Sequence, residues 1–269
     1  MKSIKRIQLF EFEDFNWFPD WLRNCMTNLI VLLQRMLGTG EVLAKLIADV
    51  IKKQEISQIV DLGSGSGGVM PDVLQILEKD SELNKVSLVM TDLYPNARIL
   101  KKFNDNNDDS ISYHPVSVDA TNIGAAPKGL KTMVNSFHHM RPENARKILE
   151  SAQLNMQPLL IYELAENKLP LLVWWLMLPI SLIILMIMVL FMTPFVRPLT
   201  WQQIVFTYLI PIIPLCYAWD GQASLPRIYS LNDMEILLKD LNSKEYSWTM
   251  GHAKKNNKKQ GIYLMGLPN

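Results

Sequence analysis

Apolar and polar positions alternate in blocks through much of the chain, and the blocks predict a repeated order of strand and helix. Five short apolar runs end near a polar or glycine residue, and segments with helical periodicity separate them. This alternation is typical of a parallel, doubly wound α/β sheet. The predicted strands cover residues 58–61, 86–92, 111–118, 131–140 and 158–164.

Helical patterns precede the first strand, and two further strands are predicted near the end of the chain. Apolar residues at helical spacing follow Pro19, and a second helix is predicted over residues 41–53. After a predicted helix over 231–241, the runs 245–250 and 261–267 predict two strands joined by a lysine-rich turn. The predicted fold is therefore α/β, a Rossmann-like doubly wound seven-stranded sheet with N-terminal helices.

A hydrophobic insert interrupts this pattern after the fifth strand. Residues 169–192 contain no charge over 24 positions, which is long enough to cross the hydrocarbon core of a bilayer. A second apolar stretch, 199–219, contains glutamines and prolines. Because the strands on both sides belong to one sheet, the insert has to leave and return on the same side, as two crossings or as a re-entrant hairpin. A buried helical pair in a soluble domain is the alternative.

These patterns divide the chain into three predicted parts. Residues 1–55 form a helical lid, 56–167 with 220–269 form the sheet domain, and 168–219 form a membrane-associated helical hairpin between the fifth strand and the last helix. The lid carries an aromatic cluster with three possible roles: covering the site, entering a membrane interface, or packing on the sheet. The cluster consists of Phe12, Phe15, Trp17, Phe18 and Trp21.

Charge and cysteine content exclude several functional classes. The chain has 27 basic and 26 acidic residues, so it lacks the positive balance of a polyanion-binding protein, and a nucleic-acid partner is not predicted. Cys25 and Cys216 are far apart and have no metal-ligand spacing, so no metal site is predicted. They are expected to be buried or membrane-facing thiols. The apolar run near the N-terminus is broken by Glu11 and Glu13, which is unlike a secretory signal.

The glycine pattern after the first strand is the strongest sign of a ligand site. Residues 61–68 read Asp-Leu-Gly-Ser-Gly-Ser-Gly-Gly between an apolar run and a helical segment. This order predicts a strand, a tight turn and a helix N-terminus, where backbone N–H groups can approach a nucleotide-like ligand. Gly63, Gly65 and Gly68 also satisfy the dinucleotide fingerprint, which remains an alternative. That fold usually has its first strand near the chain start, whereas a long helical pattern comes first here.

The segment Asp61-Leu-Gly-Ser-Gly-Ser-Gly resembles the glycine loop of the class I S-adenosylmethionine (SAM)-dependent methyltransferases. The resemblance covers about 59–164 and 230–267, and it implies SAM as the cofactor and a sheet that ends in an antiparallel hairpin. It places Asp61 near the methionine moiety, Asp92 on the ribose hydroxyls and Asp119 on the adenine amino group. The implied cofactor-binding residues are Asp61, Gly63, Ser64, Gly65, Gly67, Asp92, Leu93, Asp119, Ala120 and Asn135.

Further segments are similar to those of a bacterial methyltransferase-like group with a hydrophobic insert. They read Phe-Asn-Trp-Phe-Pro-Asp-Trp-Leu-Arg, Thr-Asp-Leu-Tyr-Pro-Asn, Ser-Phe-His-His, Pro-Phe-Val-Arg-Pro and Trp-Asp-Gly. The insert points to a small, hydrophobic or amphiphilic, lipid-like methyl acceptor. It also points to the inner or cytoplasmic membrane, with the catalytic domain in the cytoplasm. Two alternatives remain: a soluble acceptor with the insert as an anchor, and a non-catalytic membrane-tethered scaffold.

Three residues are candidates for a general base in the transfer. His138 and His139 follow the fourth strand, at the edge where ligands bind in an open α/β sheet. Asp220 follows the apolar insert and is the third candidate. Arg227 either holds an anionic group or pairs with a nearby carboxylate.

Overall fold

The structure is a computed structural model that describes residues 4, 6–105, 108–166, 168–241 and 243–269. The chain forms two compact units. The sheet unit consists mainly of Gly38–Ala165 and Leu231–Asn269, and the helical unit consists of Lys5–Leu37 and Glu166–Ser230. This division differs from the predicted one, because the predicted lid is split at Gly38 and the helical unit continues to Ser230 rather than ending at residue 219.

The sheet unit contains seven strands in the order β3-β2-β1-β4-β5-β7-β6. β1 to β5 run parallel, and β7 pairs antiparallel with both β5 and β6. The predicted α/β class and the seven-stranded doubly wound sheet are therefore confirmed. The strands are β1 Gln58–Leu62, β2 Ser87–Thr91, β3 Ile111–Tyr113, β4 Leu130–Val134, β5 Leu159–Glu163, β6 Tyr246–Lys255 and β7 Lys258–Pro268.

Helices cover the sheet, and their apolar residues form its core. α2 and α3 contribute buried aliphatic side chains that pack with those of β1 and β2. Pro71 occupies the first turn of α3, where a missing N–H has no consequence for the helix. The helices of this unit are α2 Thr39–Gln54, α3 Met70–Leu77, α4 Ala97–Asn104, α5 Pro142–Leu154 and α9 Leu231–Leu237.

The last two strands are longer than predicted, and this moves the lysines out of the turn. Lys255 and Lys258 pair across the hairpin, so they belong to β6 and β7. The turn itself consists of Asn256 and Asn257, which have φ angles of 49° and 62°. Asparagine tolerates this left-handed region, which a two-residue hairpin turn requires.

The helical unit contains α1 Asp20–Leu37, α6 Leu171–Met192, α7 Trp201–Tyr208 and α8 Ile212–Arg227. The insert is thus three helices rather than the predicted hairpin. α7 and α8 are separated by a short break and bend by 83° relative to one another. Pro211 lies in that break, where its ring and missing N–H prevent a continuous helix.

The aromatic cluster of the N-terminal segment packs inside the helical unit. Phe18 is buried there with residues of α1, α6 and α8, and Phe12, Phe15 and Trp21 pack against the same cluster. The alternative in which these rings pack on the sheet is wrong. Trp17 is exposed.

One helical segment among the described residues, Leu171–Phe195, is long and apolar enough to cross a membrane. In its most apolar stretch of 18 residues, 22% of the residues are buried, so most of the surface of the helix is exposed. The bent pair α7 and α8 is long and apolar enough only when the two helices are counted together as one broken span.

Candidate active site

The loop after β1 has the backbone geometry that its glycines predict. Gly63, Gly65, Gly67 and Gly68 have φ angles of 69°, 50°, 101° and 52°, a region that side chains with a Cβ rarely adopt. A Cβ added at Gly65 or Gly68 would meet no atom within 4 Å. A Cβ at Gly67 would lie 3.0 Å from a ring carbon of Phe103. The loop is therefore open on one side and closely packed on the other.

Asp61 supports this loop from beneath. Its Oδ2 accepts the Ser64 hydroxyl proton at 2.6 Å, and its Oδ1 accepts that of Thr132 at 2.7 Å. The residue is only 4% exposed, and burial raises the pKa of its carboxyl from 3.8 to about 6, against the opposing effect of the two hydroxyls. Because both oxygens are engaged inside the protein, Asp61 acts on the loop through Ser64.

Three further hydrogen bonds fix the same loop to neighbouring strands. Ser64 N–H donates to the Thr91 carbonyl at 2.9 Å, and the Thr91 hydroxyl donates to the Asp61 carbonyl at 2.9 Å. Tyr113, in β3, donates from its hydroxyl to the Gly65 carbonyl at 3.0 Å. Burial raises the pKa of Tyr113 well above its usual value, so the hydroxyl keeps the proton that it donates.

Asp92, directly after β2, lies beside the open side of the loop. Its Oδ2 accepts the Gly65 N–H at 2.9 Å, and its Oδ1 accepts the Tyr94 N–H at 2.9 Å. Each carboxylate oxygen has a second lone pair, so Asp92 can still accept hydrogen bonds from a ligand. Leu93, the next residue, is exposed beside it.

Asp119 and Ala120 lie close to Asp92 along the same edge. The Val118 N–H donates to the Asp92 carbonyl at 2.9 Å, which brings the segment after β3 next to the end of β2. Asp119 is exposed, and its Oδ1 accepts both the N–H and the hydroxyl of Thr121 at 2.8 Å. The second carboxylate oxygen faces a surface that a ligand can reach.

Asn135 and Ser136 form the exit from β4. Asn135 has a φ of 51° and accepts the Leu164 N–H on its side-chain oxygen at 2.7 Å, which ties β4 to β5. The Ser136 hydroxyl lies 3.7 Å from the position of a Gly63 Cβ. Its oxygen is buried and has no hydrogen-bond partner among the described residues. An unsatisfied buried hydroxyl is costly, and a ligand beside Gly63 would satisfy it.

His138 forms a buried pair with Glu163. The Glu163 carboxylate accepts the His138 backbone N–H at 3.0 Å and contacts the ring Nδ1 at 2.9 Å. An ionised carboxylate only accepts, so Nδ1 carries a proton and Nε2 is the ring nitrogen that can take one. The His139 ring lies beside that of His138, with a centroid distance of 4.3 Å and a tilt of 33°. His138 is therefore oriented by the Glu163 carboxylate.

Asp220 belongs to the helical unit. Its carboxylate accepts the backbone N–H groups of Phe12 at 2.8 Å and Glu13 at 3.2 Å, at the start of a short 3₁₀ turn. Arg227 pairs with Glu11 at 2.9 Å and Asp14 at 2.6 Å, which matches the carboxylate-pairing alternative. Both residues thus stabilise the helical unit, and a catalytic role for Asp220 stays a prediction.

Sequence reasoning missed four residues of this edge. Glu163 could have been found from the sequence, because it is an acidic residue at the end of a buried strand. Asp92 follows the end of β2 by one residue and was found by the same pattern. Ser136 follows β4 directly, but a serine there has no distinctive pattern. Thr132 and Tyr113 carry no signal, because their contacts with the loop depend on strand register.

The residues present fit SAM. A sulfonium nucleoside with an amino-acid tail needs close backbone approach, an acceptor for a ribose diol and polar groups for its tail. The open space at Gly65 and Gly68 provides the approach, Asp92 provides the acceptor, and the unsatisfied Ser136 hydroxyl provides one polar group.

Comparisons with known proteins give no family match. No protein-family model matches the chain, and no curated protein matches it. The methyltransferase domain of bacterial CtHen1-CN is 12% identical with a TM-score of 0.47, over 88% of this chain and 100% of that chain. Human N-acetylserotonin methyltransferase in complex with SAM is 12% identical with a TM-score of 0.46, over 88% and 56%.

A third similar structure is the trans-methyltransferase CalH in complex with SAH, which is 16% identical with a TM-score of 0.45, over 84% of this chain and 55% of that chain. The chain therefore spans about half the length of CalH and of the human enzyme. At these scores the likeness carries no argument about activity, and the strand order given above defines the fold.

Proposed function

We propose that this chain is a SAM-dependent methyltransferase that acts on a small amphiphilic acceptor at a membrane. The observation that carries the proposal is the glycine loop after β1. It has open space at Gly65, and the Gly65 N–H donates to the Asp92 carboxylate. It lies at the carboxyl edge of a seven-stranded sheet with an antiparallel β7, where open α/β sheets bind ligands.

The predicted cofactor residues take separate roles in this proposal. The backbone of Gly63, Gly65 and Gly67 allows close approach, with Ser64 and Asp61 holding the loop in shape. Asp92 accepts from the ribose, with Leu93 against the nucleoside, while the segment around Asp119 and Ala120 binds the adenine. Asn135 keeps β4 and β5 in register beneath the tail. When bound, SAM supplies an electrophilic methyl group on a positively charged sulfur.

His138 is the proposed general base. The pair with Glu163 fixes the ring and its tautomer, so that Nε2 can accept the proton of an acceptor hydroxyl or amine. Glu163 also stabilises the imidazolium that results. The protein otherwise contributes proximity, because positive charge is lost as the methyl group leaves sulfur.

The membrane part of the proposal rests on α6. Its uncharged surface is largely exposed, and such a surface is stable in hydrocarbon rather than in water. We place the protein at the inner or cytoplasmic membrane with the sheet unit in the cytoplasm. An acceptor that partitions into the bilayer would then be concentrated where the protein resides.

The test is transfer of radiolabel from methyl-labelled SAM into detergent extracts of membranes and, separately, into soluble extracts. The proposal predicts label in an organic-soluble product of the membrane extract, lost with His138→Gln. His114→Gln is the matched control, because His114 follows β3 rather than β4 and its ring Nδ1 contacts the Val116 carbonyl at 3.0 Å. Label only in a soluble product would move the acceptor to the aqueous phase. Bound SAM without transfer to either extract would favour a scaffold.

A further inference from the structure

α6 has two different sides along its full length. Exposed residues recur every three or four positions, and the centre of this outer face consists of Leu172, Leu176, Ile180, Ile183, Ile187 and Phe191. Val173, Trp175, Met177 and Ile184 are exposed on its flanks. A narrower stripe is covered by other helices of the same unit, and its buried members include Trp174, Leu178, Val189 and Met192. α6 is therefore apolar all round, with one covered stripe and a broad exposed face.

α8 runs antiparallel along the covered side of α6. Ile213, near the start of α8, packs in one cluster with Val189 and Met192 near the end of α6. Further along α8, the position of a Gly221 Cβ is 3.5 Å from the Leu185 side chain. Arg227 follows Gly221 by six residues, or about 9 Å of helix, which places it level with the middle of α6.

Charged groups and irregular backbone accompany this part of α8. Asp220 holds the N–H groups of the Phe12–Asp14 turn, and fully buried Arg227 pairs with Glu11 and Asp14. The preceding segment is also bound to α8, since the Ile7 N–H donates to the Pro226 carbonyl at 2.8 Å. Asp220 directly precedes Gly221 and is therefore level with the part of α6 next to Leu185, while Arg227 is level with the middle of α6.

We infer that α6 lies along one face of a bilayer, with its outer face in a single leaflet, and does not cross the membrane. A crossing helix of this length, about 33 Å, would carry the Glu11–Asp14 turn, with its exposed Asp14, to the depth of the hydrocarbon core. Charge is strongly unfavourable at that depth, and irregular backbone is tolerated there only where protein buries it. When α6 lies in the membrane plane, the same groups sit behind it, on the water side.

The return path supports this arrangement. α7 has eight residues, about 12 Å of helix, and the 83° bend before α8 prevents the two helices from forming a straight second crossing. Exposed apolar side chains continue the outer face beyond α6, and they include Phe195, Trp201, Ile204 and Leu209. The hydroxyl of Tyr208, in α7, donates to the carbonyl of Leu190, in α6, and so connects the two helices. Exposed Trp175 and Trp201 are suited to the interface.

This inference rests on the membrane part of the proposed function, and depth measurement tests it. Leu176→Cys, Ile183→Cys and Phe191→Cys, each labelled with a fluorescent bimane, are reconstituted into phosphatidylethanolamine–phosphatidylglycerol vesicles. The vesicles contain lipids brominated either near the headgroup or near the chain end. Ser81→Cys, exposed in the sheet unit, is the matched control for a site away from lipid. Wild-type protein, whose two cysteines are buried, gives the labelling background.

An in-plane α6 predicts the same ratio of shallow to deep quenching at all three sites, within about twofold, and no quenching at Ser81→Cys. A ratio that favours deep quenching at Ile183→Cys alone, with shallow quenching at both flanking sites, would show a crossing helix and overturn the inference. Absence of quenching at all three sites would also overturn it and would indicate that protein, such as a second copy, covers the face. SAM binding in detergent is measured separately, so loss of membrane contact and loss of cofactor binding can be told apart.

Discussion

Replacing Asp61 with asparagine should change how stability depends on pH, because the carboxyl is buried beneath the glycine loop. Burial raises its pKa from 3.8 to about 6 in the folded protein. Between these values the unfolded chain releases a proton that the folded chain retains, so the stability of the wild-type protein falls as pH rises. Below about pH 3 both states are protonated and the full contribution is present.

The magnitude follows from the size of the pKa change. A rise from 3.8 to about 6 corresponds to about 3 kcal/mol of stability lost between about pH 3 and pH 7. Asp61→Asn keeps the shape but cannot ionise: its side-chain oxygen can accept from one of the Ser64 and Thr132 hydroxyls, and its NH2 group can donate to the oxygen of the other. The stability of the variant relative to wild type should therefore increase by about 3 kcal/mol over the same range, or by roughly 6–12 °C in Tm.

The assay is thermal unfolding of both proteins from about pH 3 to about pH 7.5, monitored by calorimetry. Asp109→Asn, at an exposed position, is the control for loss of one negative charge. If the difference between Asp61→Asn and wild type stays constant or shrinks as pH rises, the carboxyl is ionised throughout. The reasoning about desolvation beneath the loop would then be refuted.

Three other substitutions test separate parts of the account. In Gly65→Ala the added Cβ meets no neighbour, but the residue has to adopt a φ of 50°, so the substitution should lower the stability by roughly 1–2 kcal/mol. It should also weaken SAM binding at least about tenfold. Unchanged SAM affinity would contradict the proposed approach of the cofactor. Glu163→Gln should leave SAM affinity unchanged while the transfer rate falls about 100-fold with an altered pH profile, and an unaltered rate would remove the orienting role. Arg227→Met leaves Glu11 and Asp14 without their buried cation and should destabilise the helical unit by about 3–5 kcal/mol, measured by denaturant unfolding. A loss of stability below about 1 kcal/mol would mean that the charged cluster is solvated.

The succession of strands and helices along the chain and the location of the ligand edge could be predicted from the sequence, because both depend on local patterns. Apolar runs identify strands, and the Asp61–Gly68 pattern identifies the turn that follows β1. Asp92 and Asp119 could be found because they follow strands. The end of the third strand could not be predicted, because β3 stops at Tyr113 where its pairing with β2 stops.

Features that depend on tertiary contacts could not be predicted from the sequence. The division at Gly38 depends on which core the side chains of α1 and α2 join, and both helices have similar apolar patterns. The pairing of His138 with Glu163 joins residues 25 positions apart through the register of β4 and β5. The bend between α7 and α8 was signalled by Pro211, but its angle was not.

Calorimetric titration of the purified protein in detergent with SAM and with S-adenosylhomocysteine tests the central claim most directly. The account predicts that both bind, that Asp92→Ala abolishes binding, and that Asp92→Asn, which keeps an oxygen for the Gly65 N–H, weakens binding without unfolding the loop. NAD, titrated in parallel, should not bind. Binding of NAD instead of SAM, or SAM affinity unchanged in Asp92→Ala, would contradict the assignment of this sheet edge as a SAM site.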